Sequence, residues 1–174
     1  TGGTSALATA SLERLGLDAK RMADGPNGMR NYEEGSNCTT LPSCCATGAT
    51  WSREAAYKMG QTIAKDCVHH GRHMILGPGL NMKRNALCGR NFEYFSEDPV
   101  LTGEMAAAYV KGCEENGVGT SMKHYACNSQ ENYRTTISSE IDERTMREIY
   151  LRAFEIAAKK GNPASIMCAY NKIN

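Results

Sequence analysis

The residues from Gly89 to Pro99 read GRNFEYFSEDP and hold the densest group of side chains fit for chemistry. Arg90 stands beside a glycine, Phe92 and Tyr94 alternate with Glu93, and Glu97 and Asp98 precede Pro99. An aromatic face and a fixed guanidinium suit a ring dense in hydroxyls, because the ring stacks on one and its edge accepts charge-assisted hydrogen bonds from the other. Three more stretches have comparable content: Asp24-Gly25-Pro26-Asn27-Gly28-Met29-Arg30, Lys123-His124-Tyr125 with Asn128 to Arg134, and Ala169-Tyr170-Asn171. Lys123 follows an apolar run, where a lysine is costly unless it is paired or used. The structural alternative is that Lys123 and Arg90 pair with Asp24 or Glu131 and only brace the fold.

The elements around these stretches alternate between strands and helices. Ala8, Leu12 and Leu15 have helical spacing and stop at Gly16. A short segment from Lys20 to Ala23 leads to the Asp24-Gly25-Pro26 turn, and 31–42 reads as polar loop. Ser52 caps a helix whose apolar face is Ala56, Met59, Ile63 and Cys67, ending near Gly71. Met74-Ile75-Leu76 reads as a buried strand. Asp98 and Pro99 open the next helix, lined by Leu101, Met105, Ala108 and Tyr109. A strand over Val118 to Met122 follows, then a helix capped by Asp142, expected to be the longest, which runs to Gly161. The last strand is Ala164 to Ala169. This order predicts an α/β fold with a parallel sheet. The candidate residues then collect at strand ends, as in a (β/α) barrel or in an open doubly wound sheet.

Length and composition suit one ordinary domain: 174 residues, 41% hydrophobic and 22% charged. A formal net charge of +1 gives no basis for nucleic-acid binding, and no apolar run approaches a membrane span. Eight cysteines lie scattered without a C-x-x-C spacing, which predicts buried thiols and a reducing, cytoplasmic setting. The chain opens on Thr1 and stops at Asn174, directly after a predicted strand, so the expectation is a domain cut at both ends. His69, His70 and His73 could suggest zinc, but histidines at a helix end suit its dipole, and no metal or cofactor is expected.

Taken together, these motifs resemble the N-terminal barrel of family 3 glycoside hydrolases, the β-glucosidase and β-xylosidase family. The matching stretches are RLGL through DGPNGMR, Thr40-Leu41-Pro42, Ala49-Thr50-Trp51-Ser52, Leu76-Gly77-Pro78-Gly79, GRNFEYFSEDP, Met122-Lys123-His124-Tyr125, Asp142-Glu143-Arg144 with Arg147-Glu148, and Ala169-Tyr170-Asn171. They span nearly the whole chain, in the family's order. The resemblance implies a partial (β/α)8 TIM-barrel-like domain over residues 1–174 and a β-glucoside or related substrate. It implies that Asp24 accepts from two sugar hydroxyls and that Arg90, Lys123 and His124 donate to others. Tyr170 would sit beside the nucleophile and the reacting carbon, while Arg30 and Arg134 orient carboxylates. Tyr125-Ala126-Cys127-Asn128 stands where the N-acetylglucosaminidase branch carries a Pro-Gly-rich stretch, which implies the glucosidase-like branch. The family's nucleophile is an aspartate in a Ser-Asp-Trp-like context after Ala-Tyr-Asn, and no such stretch lies in this chain. Its acid/base lies later still. The expectation is therefore a fragment with sugar-binding residues and no catalytic carboxylate, completed by a C-terminal part of the same chain. The rival reading is a non-catalytic sugar-binding module, and β-xylosides are the alternative substrate. Glu93, Glu97 and Asp98 are expected to hold the loop and cap the helix.

Overall fold

The computed structural model describes residues 7–30 and 37–174. Residues 31–36, half of the polar stretch 31–42, thus lie outside the described residues. Strand β1 is Met22–Asp24. Helix α1 (Cys44–Ala49) and helix α2 (Arg53–His69) follow, then strand β2 (Met74–Leu76). Helix α3 (Pro99–Glu114) leads to strand β3 (Gly119–Tyr125). Strand β4 (Ser138–Ser139), helices α4 (Glu143–Thr145) and α5 (Arg152–Gly161), and strands β5 (Ser165–Cys168) and β6 (Lys172–Ile173) complete the order.

The main sheet has four parallel strands in the order β1-β2-β3-β5. Strand order follows chain order, with no reversal. A doubly wound sheet reverses its order at a switch point, whereas a barrel adds each strand beside the last. The sheet is therefore a segment of a barrel wall. The middle residues Ala23 and Ile75 are fully buried toward the helices, while Asp24 and Leu76 are only half-buried. Alternation along a strand sends these neighbours to opposite faces. Between sheet and helices the core gathers Ile75 and Met122 from the strands, with Ile63, Met105, Tyr109, Val110 and Phe154.

The helices begin where their caps dictate. Ser52 Oγ accepts from Ala55 N at 3.2 Å, and Asp98 Oδ1 accepts from Leu101 N at 2.6 Å with Pro99 following. Helices α2 and α3 touch backbone to backbone. A Cβ on Gly60 would lie 2.3 Å from Tyr109 O, and one on Gly112 would lie 2.2 Å from Tyr57 O. Only glycine fits at either position.

Three sequence expectations are corrected. Ala8 to Leu15 forms no helix. Leu12 and Leu17 exchange hydrogen bonds across a tight turn, with a single 3-10 turn at Glu13–Leu15 and Gly16 at φ 64°. The apolar residues there have too little to bury against, and all three leucines stay exposed. The helix capped by Asp142 is not the longest. It passes through a π-turn at Met146–Tyr150 before α5, and α2 is longer at 17 residues. Strand β3 does not stop at Met122 but runs on to Tyr125, so Lys123 and His124 lie inside it. Helix α1 has no apolar period in the sequence, which assigns no element to Cys44–Ala49.

Candidate functional site

All seven residues singled out from the sequence line one cleft of about 690 Å³ at the C-terminal ends of the strands. Asp24 ends β1, and Pro26 and Arg30 follow it on the adjoining turn. Leu76 ends β2. Arg90, Phe92 and Glu93 come from the loop before α3, Lys123 and His124 from β3, and Cys168 and Tyr170 from β5 and beyond. Arg134 also lines it, with its guanidinium carbon 5.2 Å from the centre of the Tyr170 ring.

Lys123 and His124 are consecutive, yet both face the cleft. A regular strand would send one to each face. The pairing of β3 with β5 shifts register between Met122 and Tyr125, across these two residues. Such an irregularity re-aims side chains, and it is common beside active sites. On the other edge, Lys123 N bonds Pro78 O at 2.9 Å, and Leu80 N bonds Lys123 O at 2.7 Å. Asn81, itself buried, then clamps the His124 peptide: its Nδ2 donates to His124 O and its Oδ1 accepts from His124 N, each at 2.9 Å.

Charge at the cleft floor runs in a chain. Lys123 Nζ lies 2.9 Å from Asp24 Oδ1 and 3.4 Å from Glu93 Oε2. The other Glu93 oxygen, Oε1, accepts from Arg90 Nε. Glu93 is buried, so the carboxylate fixes both cations while they neutralise it. This confirms the loop-holding role expected of Glu93. Lys123 pairs with Asp24, as the structural alternative allowed, whereas Arg90 pairs with Glu93 and not with Asp24 or Glu131. Asp24 Oδ1 also accepts from Gly25 N at 2.9 Å. Its other oxygen has no hydrogen-bond or ion-pair partner among the described residues, and Asp24 lines the cleft.

Burial works to raise the Asp24 pKa, but the Lys123 ammonium, the Gly25 N–H and Arg30 outweigh it and hold the carboxyl below its usual range. Burial also opposes the charge on Arg90, and the hydrogen bond to Glu93 more than restores it. His124 is driven down to about 2, by burial first and then by Arg90, Lys123 and Arg134, so its imidazole is neutral. Its Nδ1 lies 3.1 Å from the Tyr94 hydroxyl. The arrangement presents an acceptor carboxylate, fixed cationic donors and a neutral imidazole on one wall, with Phe92 and Tyr170 as exposed aromatics.

Sequence reasoning missed Asn81, and it named Tyr94, Asn128 and Glu131 without giving them a place. Asn81 and Asn128 are buried asparagines, and a buried amide needs partners. Their position among apolar residues just past strands was the available signal. The three histidines near α2 form no shared site. His73 Nδ1 accepts from Arg21 N, and His70 contacts Asn37 O. No group of three or more possible metal ligands occurs among the described residues, and no helix there is long and apolar enough to cross a membrane.

The chain matches the family model described as Glycosyl hydrolase family 3 N terminal domain over residues 4–174. It is 45% identical to Thermostable beta-glucosidase B of Acetivibrio thermocellus over 95% of this chain and 23% of that protein. Its identity to Probable beta-glucosidase J of Emericella nidulans is 43%, over 100% of this chain and 21% of that protein. Among solved structures, beta-glucosidase 3B from Thermotoga neapolitana in complex with glucose superposes with a TM-score of 0.91 at 44% identity, covering 96% of this chain and 24% of that one. The beta-glucosidase from Kluyveromyces marxianus in complex with glucose gives a TM-score of 0.96 at 39% identity, over 99% and 21% of the two chains. The chain thus spans about a fifth to a quarter of the length of the relatives it matches. With sequence, strand order and strand-end cleft in agreement along its length, the chain belongs to the N-terminal domain family of glycosyl hydrolase family 3.

Proposed function

We propose that this domain forms the sugar-holding wall of a retaining β-glucosidase acting on terminal β-D-glucosyl or related residues. The observation that carries this reading is the Asp24–Lys123–Glu93–Arg90 chain of charge beside neutral His124. It offers one free carboxylate oxygen and several fixed donors to a ring of hydroxyls. Asp24 accepts from two hydroxyls through its free oxygen, and Arg90, Lys123 and His124 donate to others. Arg30 and Arg134 hold the surrounding carboxylates, and Tyr170 stacks beside the reacting carbon.

A retaining glycosidase needs two carboxyl groups about 5–5.5 Å apart, one of them free to attack. Asp24 and Glu93 are the carboxylates lining this cleft, and each is tied to a cation. In this reading both carboxylates hold cations and sugar hydroxyls. The reading assigns the catalytic pair to sequence outside these 174 residues, which alone bind sugar without cleaving it. The test uses the full-length protein and the isolated chain side by side on an aryl β-D-glucoside, with the anomer first released read by proton NMR. The reading expects β-glucose from the full-length protein and no turnover from the isolated chain. Inversion, no hydrolysis by the full-length protein, or turnover by the purified isolated chain overturns it.

A further inference from the structure

A line of hydrogen bonds runs behind the cleft from Arg134 to His124, and its direction is fixed from one end. Glu131 Oε2 accepts from Arg134 Nη1 at 3.1 Å. Its other oxygen, Oε1, lies 2.9 Å from Asn128 Nδ2. A carboxylate paired with a guanidinium can only accept, so the atom facing it is the amide nitrogen. The same nitrogen lies 3.0 Å from the Tyr94 hydroxyl. Both amide hydrogens are then committed, one to Glu131 and one to Tyr94. Tyr94 therefore accepts from Asn128, and its own hydrogen must go elsewhere. Among the described residues its one other hydrogen-bond partner is His124 Nδ1, at 3.1 Å. Tyr94 is fully buried, with Asn128 and His124 each 5% exposed, so no bulk water relieves a wrong orientation. A proton on Nδ1 would leave the Tyr94 hydrogen without an acceptor.

We propose that Tyr94 is a positioning residue that fixes His124 as the tautomer with its proton on Nε2. That nitrogen has no partner among the described residues, and His124 lines the cleft. The network thus turns an imidazole of either polarity into a donor aimed at the ligand. Asn81 supports this by fixing the His124 backbone on both sides. The polarity originates at the Arg134–Glu131 pair, so Arg134, which lines the same cleft, sets the hydrogen-bonding sense of His124 through this line. The inference rests on the glycosidase reading only for its effect on rate.

Two measurements test it in the full-length protein. The first is independent of activity. With histidine labelled by 15N in the ring, and His124 assigned by the signal lost in His124→Gln, the wild type should show a protonated Nε2 and an unprotonated Nδ1. In Tyr94→Phe the two nitrogens should average toward each other. Should Tyr94→Phe fail to fold, Asn128→Ala serves: with the amide gone the Tyr94 hydrogen is free to turn away from His124, its oxygen accepts from Nδ1–H, and both tautomers appear. A wild-type proton on Nδ1, or a tautomer unmoved in these variants, overturns the proposal. The second is a double-mutant cycle on aryl β-glucoside hydrolysis. Tyr94→Phe should lower kcat/KM about 10- to 100-fold, the scale of a misplaced contact. In a His124→Ala background it should cost nothing further. Losses that multiply would show that Tyr94 acts apart from His124 and overturn the proposal. Absence of hydrolysis in the wild type would instead sink the glycosidase reading, while the tautomer measurement would still decide this one.

Discussion

Lys123 Nζ lies 2.9 Å from Asp24 Oδ1, although 99 residues separate the two in the chain. The ammonium end is almost fully buried, and the carboxylate is about a third exposed. The pair closes β1 onto β3 across β2 at the mouth of the barrel segment, and it leaves the other Asp24 oxygen without a partner among the described residues.

In the full-length protein, Asp24→Ala should lower kcat/KM on β-glucosides by roughly 10² to 10⁴. Two hydroxyls donating to a carboxylate are worth about 1.5–3 kcal/mol each, and ~1.4 kcal/mol is a decade of rate. The mutant should stay folded, because the change is at the mouth. Steady-state kinetics on the glucoside and on a deoxy analogue check this, and the analogue should lose little further rate in the mutant. Wild-type kcat/KM in a folded Asp24→Ala protein would remove Asp24 from the sugar site.

Glu93→Gln should destabilise the fold by about 3–5 kcal/mol, because it leaves buried Lys123 and partly buried Arg90 with one fewer counter-charge. Glu148→Gln breaks the exposed Arg144–Glu148 pair and should leave stability unchanged within error. Denaturant midpoints of the two variants, measured together, supply the comparison. Equal midpoints would mean that Glu93 is not a structural anchor.

His124 makes the fold sensitive to mild acid. Its pKa is about 2 in the folded state, against 6.5 for an ordinary histidine. Between those values the unfolded chain binds a proton that the folded chain refuses, so this contribution to stability is full above pH 6.5 and falls as pH drops below it. From pH 6.5 to 5 the loss is about 2 kcal/mol. Asp24 adds a second loss only below pH ~4, where its lowered pKa lets the unfolded carboxyl protonate first. Urea titrations at pH 7 and pH 5 should show His124→Gln with the shallower pH dependence. An unchanged slope would contradict a neutral buried His124.

The cysteines should all be reduced in the native protein. Cys45 and Cys168 are exposed and should alkylate first. Cys44, Cys67 and Cys113 should resist until the fold opens, since burial raises their pKa, that of Cys67 to about 12. Peptide mass mapping after timed alkylation without reductant measures both. Any of the eight found in a disulfide would reverse the expectation of a reducing compartment.

Local signals carried most of the elements. Ser52, Asp98 with Pro99, and Asp142 each accept the N–H of the residue three positions on, as their capping chemistry dictates. Alternating strands and helices gave a parallel sheet, and the charged strand ends gave one cleft, because both are short-range properties of spacing. The sequence could not separate a barrel wall from a doubly wound sheet, because strand order depends on which strands pair. It also misread Ala8 to Leu15, where helical spacing finds no surface to bury against. Nor could it show that consecutive Lys123 and His124 share a face, which rests on a register shift against a strand far along the chain. The polarity of His124 is the furthest from local reading. It depends on a line through Tyr94, Asn128 and Glu131, whose order exists only once the loop before α3 and the segment after β3 meet. Side-chain type is written in the sequence, whereas hydrogen-bond direction is set by the neighbours that folding supplies.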